Sequence, residues 1–215
     1  MDKDNNRFNS FSVPLGLLDY VNPIFYSITI ITVIRSTYSS MDRPFNVLLF
    51  IGAIISIFFG FIIPTGKVIV GLGIIKFRMP VSLVFCVNTG ILISGLMLLK
   101  YVMDMSTAAI CILIAVIIAL LVLIYAKSRK INSIAVLTGA AGYLMLYASL
   151  IALSVRAGAM APVIMYAMAI LLFVMLCGIG IKADLKNPKV HWIIEISNVV
   201  CQGLVAAATV LLFSA

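Results

Sequence analysis

The chain has 215 residues, of which 64% are hydrophobic and only 10% are charged, and its mean hydropathy is +1.24. A soluble domain carries about 25% charged residues, so a soluble core cannot bury this much apolar surface, and the sequence predicts an all-α integral membrane protein. The net charge of +8 does not indicate nucleic-acid binding, because the basic residues lie in short turns between apolar segments, where they set orientation in the bilayer.

Seven apolar segments are long enough to cross a membrane, since a bilayer core of about 30 Å requires roughly 20 helical residues. They cover residues 12–34, 45–63, 80–99, 107–126, 131–155, 159–181 and 191–213. Residues 64–79 contain a shorter apolar run, which is expected to form an interfacial helix or a bent extension of the third span. A turn at Arg156 separates the fifth and sixth spans, with one long broken helix as the alternative. The prediction is a single polytopic domain, residues 1–215, folded as a seven-helix bundle.

The basic residues predict the orientation of the chain. If alternate turns lie on alternate sides, the N-terminal side receives Lys3, Arg7, Lys67, Lys76, Arg78, Lys127, Arg129, Lys130, Lys182, Lys186 and Lys189. The opposite side receives Arg35, Arg43, Lys100 and Arg156. Because basic turns are retained in the cytoplasm, the N-terminus is predicted to be cytoplasmic and the C-terminus outside. The predicted location is the plasma membrane.

The order of the segments has the outline of an internal repeat, which is common in transporters. Spans one and five end in comparable stretches, Tyr26–Arg35 and Tyr147–Arg156, and spans three and seven begin at or after a proline, Pro80 and Pro188. This pattern predicts two parallel three-helix units joined by the apolar fourth span. The plan is similar in outline to sugar transporters with two three-helix bundles. The Pro-Gln dipeptides typical of that family are absent and the inferred orientation is opposite, so the resemblance concerns architecture alone.

A polar stripe runs along the last span. His191, Glu195, Asn198 and Gln202 are spaced so that a helix places them on one face. Inserting a carboxylate into the bilayer costs about 3 kcal/mol, so Glu195 requires a partner, a water-filled cavity or a proton. Asp19 is the other acidic residue within a predicted span, and the topology places it at a depth similar to that of Glu195.

The polar residues of several spans are expected to converge on a cavity open to the cytoplasm. The candidate binding residues are Asp19, Asn22, Asn88, Thr89, Glu195, Asn198 and Gln202. In this interpretation the two carboxylates bind a cation or a proton, and the amides bind a small polar solute. In the alternative interpretation the amides and Thr89 form interhelical hydrogen bonds, the carboxylates lie near the headgroups, and His191 anchors the helix at the interface.

No metal site, cofactor or catalytic nucleophile is predicted. One histidine and two carboxylates within the membrane are a poor ligand set for zinc, although His191 and Glu195 have the spacing that lets two ligands share an ion. The last span has no lysine to anchor a retinal Schiff base, and the sequence has no G-x-S-x-G motif.

Three classes of function are consistent with the pattern. The leading hypothesis is a small transporter or permease-like protein coupled to a proton or a cation. The first alternative is an intramembrane lipid-modifying enzyme that uses Asp19 and Glu195 as general acid and base. The second is a receptor-like or accessory subunit. The predicted partners are the lipid bilayer, a small polar solute, and a cation or proton, together with a homo-oligomer or a membrane complex.

Overall fold

The computed structural model describes residues 12–74, 80–128, 131–182 and 188–214, and in these ranges the chain forms eight helices. They are α1 (Val13–Asp19), α2 (Val21–Thr37), α3 (Arg43–Gly71), α4 (Val81–Met103), α5 (Thr107–Ser128), α6 (Ile131–Arg156), α7 (Met160–Lys182) and α8 (Pro188–Ser214). Helices α1 and α2 together make the first span, so the described residues contain 7 segments long and apolar enough to cross a membrane. The prediction of an all-helical chain with seven such segments is confirmed.

The first span is interrupted at Tyr20, which separates α1 from α2. Pro23 lies in the first turn of α2 and has no amide hydrogen, so it cannot donate to the carbonyl of Asp19 four residues earlier. Proline is tolerated in the first turn of a helix, where the amides have no intrahelical acceptor. Pro23 therefore leaves the Asp19 carbonyl without its helical donor, and Asp19 lies at the junction of α1 and α2.

The structure differs from the expectation for residues 64–79. Residues 64 to 71 continue α3, which is the second span and not the third, with Pro64 inside the helix. Residues 75–79 lie outside the described residues. Transmembrane helices tolerate proline because neighbouring helices and local adjustments satisfy the freed backbone groups. The sequence pattern assigns Lys67 to a turn, whereas the structure places this residue on a helix.

Helices α6 and α7 are separate, and the alternative of one long broken helix is wrong. The chain turns at Gly158, whose φ is +69°, in the left-handed region that favours glycine. The amide of Ala159 then donates to the carbonyl of Ser154 at 2.9 Å, which satisfies one of the carbonyls at the end of α6.

Helix α4 packs between α3 and α6 at very short backbone separations. A Cβ atom on Gly95 would lie 2.5 Å from the carbonyl oxygen of Gly142 on α6, and one on Gly90 would lie 2.6 Å from that of Gly52 on α3. Backbone atoms cannot rotate out of the way, so these positions require glycine. Small residues that allow close approach are a common means of helix association in membranes.

The remaining contacts close the bundle. Helix α2 packs against α3 and α8, and α7 packs against α6 and α8. Helix α5 packs against α6 and leaves large apolar side chains exposed, including Ile112, Ile118 and Leu123. The core therefore lies among the other helices, and α5 is peripheral to it.

The glycine contacts predict a difference between two otherwise similar substitutions. Gly95→Ala should lower the free energy of unfolding by about 1–3 kcal/mol, the usual cost of overpacking, because the new methyl group meets a backbone carbonyl. Gly203→Ala on α8 meets the Phe25 ring at 3.2 Å, which can shift, so it should have little effect. Thermal unfolding of the purified protein in detergent measures both, and equal midpoints for the two variants would contradict the assignment.

Candidate functional site

A lysine and two carboxylates from three helices meet inside the bundle. The Lys67 Nζ atom lies 2.7 Å from Oδ2 of Asp19 and 2.8 Å from Oε1 of Glu195. The lysine side chain is 15% exposed and each carboxylate side chain is 12% exposed, so both ion pairs are largely shielded from solvent. Asp19, Lys67 and Glu195 are called the charge cluster below.

Asn22 on α2 binds both carboxylates of the charge cluster. Its Nδ2 atom donates to Oδ1 of Asp19 at 3.2 Å and, at 3.4 Å, to Oε2 of Glu195. Each carboxylate therefore uses one oxygen for the lysine and the other for the amide. The Oδ1 atom of Asn22 is itself buried and has no hydrogen-bond partner among the described residues. The site thus retains an unused acceptor beside its charged groups.

Local packing of α1 against the end of α3 positions the lysine. A Cβ atom on Gly16 would lie 2.9 Å from Cγ2 of Val68 and 3.1 Å from its amide nitrogen, so only a residue without a side chain lets the two helices approach this closely. The hydroxyl groups of Tyr20 and Thr65 are 2.7 Å apart. These two contacts flank Lys67 along α3 and hold its side chain toward the carboxylates.

The charge cluster carries more negative than positive charge. With all three groups ionised, two carboxylates face one ammonium, which leaves an excess of one negative charge in a region shielded from water. Buried charge is costly unless it is paired, and the hydrogen bonds from Asn22 compensate for only part of that cost. The arrangement can therefore take up one further positive charge, as a proton or as a small cation.

The structure brings together three of the sequence-predicted site residues, Asp19, Asn22 and Glu195. Gln202, two turns deeper on α8, is 3% exposed and donates to the Tyr147 hydroxyl on α6 at 3.2 Å. Asn198 lies between Glu195 and Gln202 on the same helix and is half-buried.

The two predicted residues on α4 lie apart from this group. Asn88 donates to the carbonyl oxygen of Ala135 on α6 at 2.7 Å, and its side chain fills the space above Gly139. The hydroxyl oxygen of Thr89 is buried and has no hydrogen-bond partner among the described residues. Asn88 thus joins α4 to α6.

Sequence reasoning missed Lys67 and Tyr26. Lys67 follows Pro64 and Gly66, a combination that suggests a turn, but two carboxylates in spans require a counter-ion, and Lys67 is a basic residue on the same side. Tyr26 is 4% exposed and lies one helical turn after Asn22, facing Ser56 on α3 and Ser94 on α4. Tyr26 could have been identified from its i, i+4 spacing from Asn22, which places the two side chains on the same face of a helix.

The described residues contain no group of three or more His, Cys, Asp or Glu side chains placed to hold a metal ion. His191 lies one turn before Glu195, near the start of α8, and is half-buried. The described charge cluster therefore offers two carboxylates and an amide, with an ammonium already between the carboxylates.

Comparison of the chain with protein-family models, with curated proteins and with solved structures finds no match. The features of the chain that bear on function are therefore the geometry of the charge cluster and the length and hydropathy of the helices around it.

The ion pairs predict a large effect of removing the lysine. Lys67→Met should lower the free energy of unfolding by about 3–5 kcal/mol, because it leaves two buried carboxylates without a cation. Lys67→Met combined with Glu195→Gln should recover part of that loss, since one of the uncompensated charges is then removed. Denaturant or thermal unfolding in detergent measures both variants.

Lys100→Met is the matched control for this experiment. Lys100 lies over the Phe45 ring at 3.9 Å, a contact worth about 0.5–1 kcal/mol at an exposed site. Equal losses for Lys67→Met and Lys100→Met, or a double variant less stable than Lys67→Met, would show that the charge cluster does not stabilise the fold.

Proposed function

We propose that the chain is a small multi-pass membrane transporter in which the charge cluster binds a proton or a small cation coupled to movement of a polar solute. The observation that carries this proposal is the bridging of Asp19 and Glu195 by Lys67. Ionisable residues inside membrane segments are costly, and they typically mark ion pathways, proton relays or substrate sites.

The helices that form the cluster come from both of the three-helix units proposed from the sequence. Asp19 and Lys67 belong to the first unit, α1 to α4, and Glu195 belongs to the second, α6 to α8. In this division α2, α3 and α4 correspond to α6, α7 and α8. Equivalent helices have equivalent neighbours, which supports the division: α3 packs on α4 as α7 packs on α8, and α4 packs on α6 as α8 packs on α2. Transporters often place the ion site at the interface between such repeated units.

This location provides a mechanism for coupling. When a cation or proton neutralises Glu195, the attraction between Glu195 and Lys67 decreases, and α8 is then less strongly held against α1 and α3. Release of the positive charge restores the ion pair and draws the units together again. A ligand shifts a conformational equilibrium only by its differential affinity for the two states, and the charge cluster supplies such a difference.

Polar side chains deeper in the bundle are the proposed solute ligands. Asn198 and Gln202 follow Glu195 along α8, and the Thr89 hydroxyl on α4 has no partner among the described residues. Asn88 is a further candidate, although its amide nitrogen already binds the Ala135 carbonyl. These amide and hydroxyl groups favour a small hydrogen-bonding solute.

The proposed orientation places the charge cluster toward the cytoplasm. Asp19, the end of α3 and the start of α8 lie at the end of the bundle that the sequence assigns to the cytoplasm, because basic turns favour that side. In a plasma membrane, an ion that reaches the cluster from the cytoplasm would therefore enter near Asp19 and Glu195.

The transport proposal is tested with the full chain reconstituted in liposomes. Currents on a solid-supported membrane are recorded while a panel of sugars, amino acids, polyols and nucleobases is applied, with a pH gradient or with a sodium gradient. We expect solute-dependent current in the wild type and its loss in Glu195→Gln, because the neutral side chain has no charge to gain or release.

Asp104→Asn is the matched control. Asp104 is an exposed carboxylate at the opposite end of the bundle with a φ of +49°, a conformation that asparagine also tolerates, so this variant should transport like the wild type. A solute-dependent current that Glu195→Gln leaves unchanged, or the absence of any current across the panel, would refute the assignment.

A further inference from the structure

Two buried oxygen atoms on one face of α2 lie next to the charge cluster without hydrogen-bond partners among the described residues. They are Oδ1 of Asn22 and the hydroxyl oxygen of Tyr26. Residues four apart lie on the same face of a helix, about 6 Å apart along its axis at 1.5 Å per residue. Buried polar atoms are nearly always satisfied by protein or by internal water, so this pair of atoms indicates a place where water binds.

The surroundings of Tyr26 favour water over direct protein contacts. Ser56 donates its hydroxyl hydrogen to the Gly52 carbonyl at 2.9 Å, and Ser94 donates to the Gly90 carbonyl at 3.0 Å. Both serine oxygens therefore face Tyr26 as acceptors; they lie close to its hydroxyl, but not in the geometry of a direct hydrogen bond. A water molecule can both donate to these oxygens and accept from the phenol.

The polar groups continue in both directions from this position. Toward the cytoplasmic end, the Asn22 amide joins the water position to Asp19 and Glu195 through hydrogen bonds of 3.2 and 3.4 Å. Toward the centre, Tyr26 lies near Tyr143 on α6, whose ring is 5.7 Å from that of Tyr147, the partner of Gln202. Hydrogen-bonding groups therefore extend from the cluster to the middle of the bundle.

The charge cluster is better suited to a proton than to a metal cation. Lys67 already occupies one oxygen of each carboxylate, and its ammonium would repel a metal ion placed between them. Metal cations such as calcium need six or more oxygen ligands, whereas a proton needs only one lone pair and can be passed between water, carboxylate and hydroxyl groups.

We infer that the transported or coupling ion is a proton, and that it moves between the charge cluster and the bundle centre through water bound at Asn22 Oδ1 and the Tyr26 hydroxyl. This inference rests on the proposed transport function and narrows it. In the step, a water molecule gives a proton to a Glu195 oxygen and regains one from the next water along the route. The last water regains its proton from a hydronium ion that enters at the bundle-centre end, so one proton in total moves to Glu195. The Lys67–Glu195 ion pair is then lost until the proton leaves.

The test compares two tyrosine variants of the full chain in liposomes that contain a pH-sensitive dye. Proton entry is driven by a potassium diffusion potential in the presence of the solute panel. Tyr26→Phe removes an oxygen that belongs to the route and should slow this proton entry by about tenfold. A tenfold lower rate corresponds to the free energy of about one hydrogen bond. Tyr166→Phe removes a buried hydroxyl that is paired with Thr209 at 2.9 Å, away from the route, and should leave the proton flux unchanged.

Each outcome of this experiment is decisive. Tyr26→Phe should unfold at the wild-type temperature, since its hydroxyl has no direct protein partner, so a loss of flux in a stable variant supports the route. Equal proton flux in Tyr26→Phe and wild type would overturn the water route. Sodium-dependent current that Glu195→Gln abolishes, without a pH change, would overturn the proton assignment and leave transport intact. The absence of any ion or solute movement would overturn transport as well.

Discussion

The ion pairs of Lys67 with Asp19 and Glu195 join the first, second and last of the seven apolar segments at one point. Each of the three residues lies on a different helix, and each would be costly to bury alone. The charges compensate one another only if α1, α3 and α8 pack closely enough to bring the three side chains within hydrogen-bond distance. This constraint explains several local features. Asp19 lies buried at the end of α1, Gly16 lets α1 lie directly against α3, and the continuation of α3 past Pro64 carries Lys67 to the carboxylates.

The parts of the fold that could be predicted from the sequence are those set by local composition. The length and hydropathy of each segment define seven helices long and apolar enough to cross a membrane. The cost of a buried carboxylate likewise directs attention to Asp19 and Glu195. Local composition does not predict which residue pairs with a charged group, because the pairing depends on which helix ends meet in space.

Lys67 is a residue of the charge cluster that local composition does not predict, and Asn88 is a predicted ligand that instead joins two helices. Pro64 and Gly66 have the composition of a turn, but tertiary contacts from Gly16 and Tyr20 support a helix there, so Lys67 is a member of the site and not of a loop. Asn88 has the side chain of a solute ligand, yet the absence of a side chain on Gly139 creates the space in which Asn88 binds the α6 backbone. The pairing of an amide with a glycine on another helix has no signal in either local sequence.

The α4–α6 and α2–α8 interfaces differ in their capacity to move. At the α4–α6 interface, a Cβ on Gly95 would lie 2.5 Å from a backbone oxygen and one on Gly142 would lie 2.6 Å from a backbone nitrogen, so the helices are in direct main-chain contact and sliding would produce clashes. At the α2–α8 interface, a Cβ on Gly203 would meet the ring of Phe25, and the Asn22 amide donates to Glu195. The ion pair of Glu195 with Lys67 joins α8 to α3 beside this interface. Side chains can change rotamer and ion pairs can be exchanged for a proton, whereas a glycine seam has no such freedom. Motion is therefore expected at α2 and α8, around the charge cluster, with α3, α4 and α6 as the fixed frame.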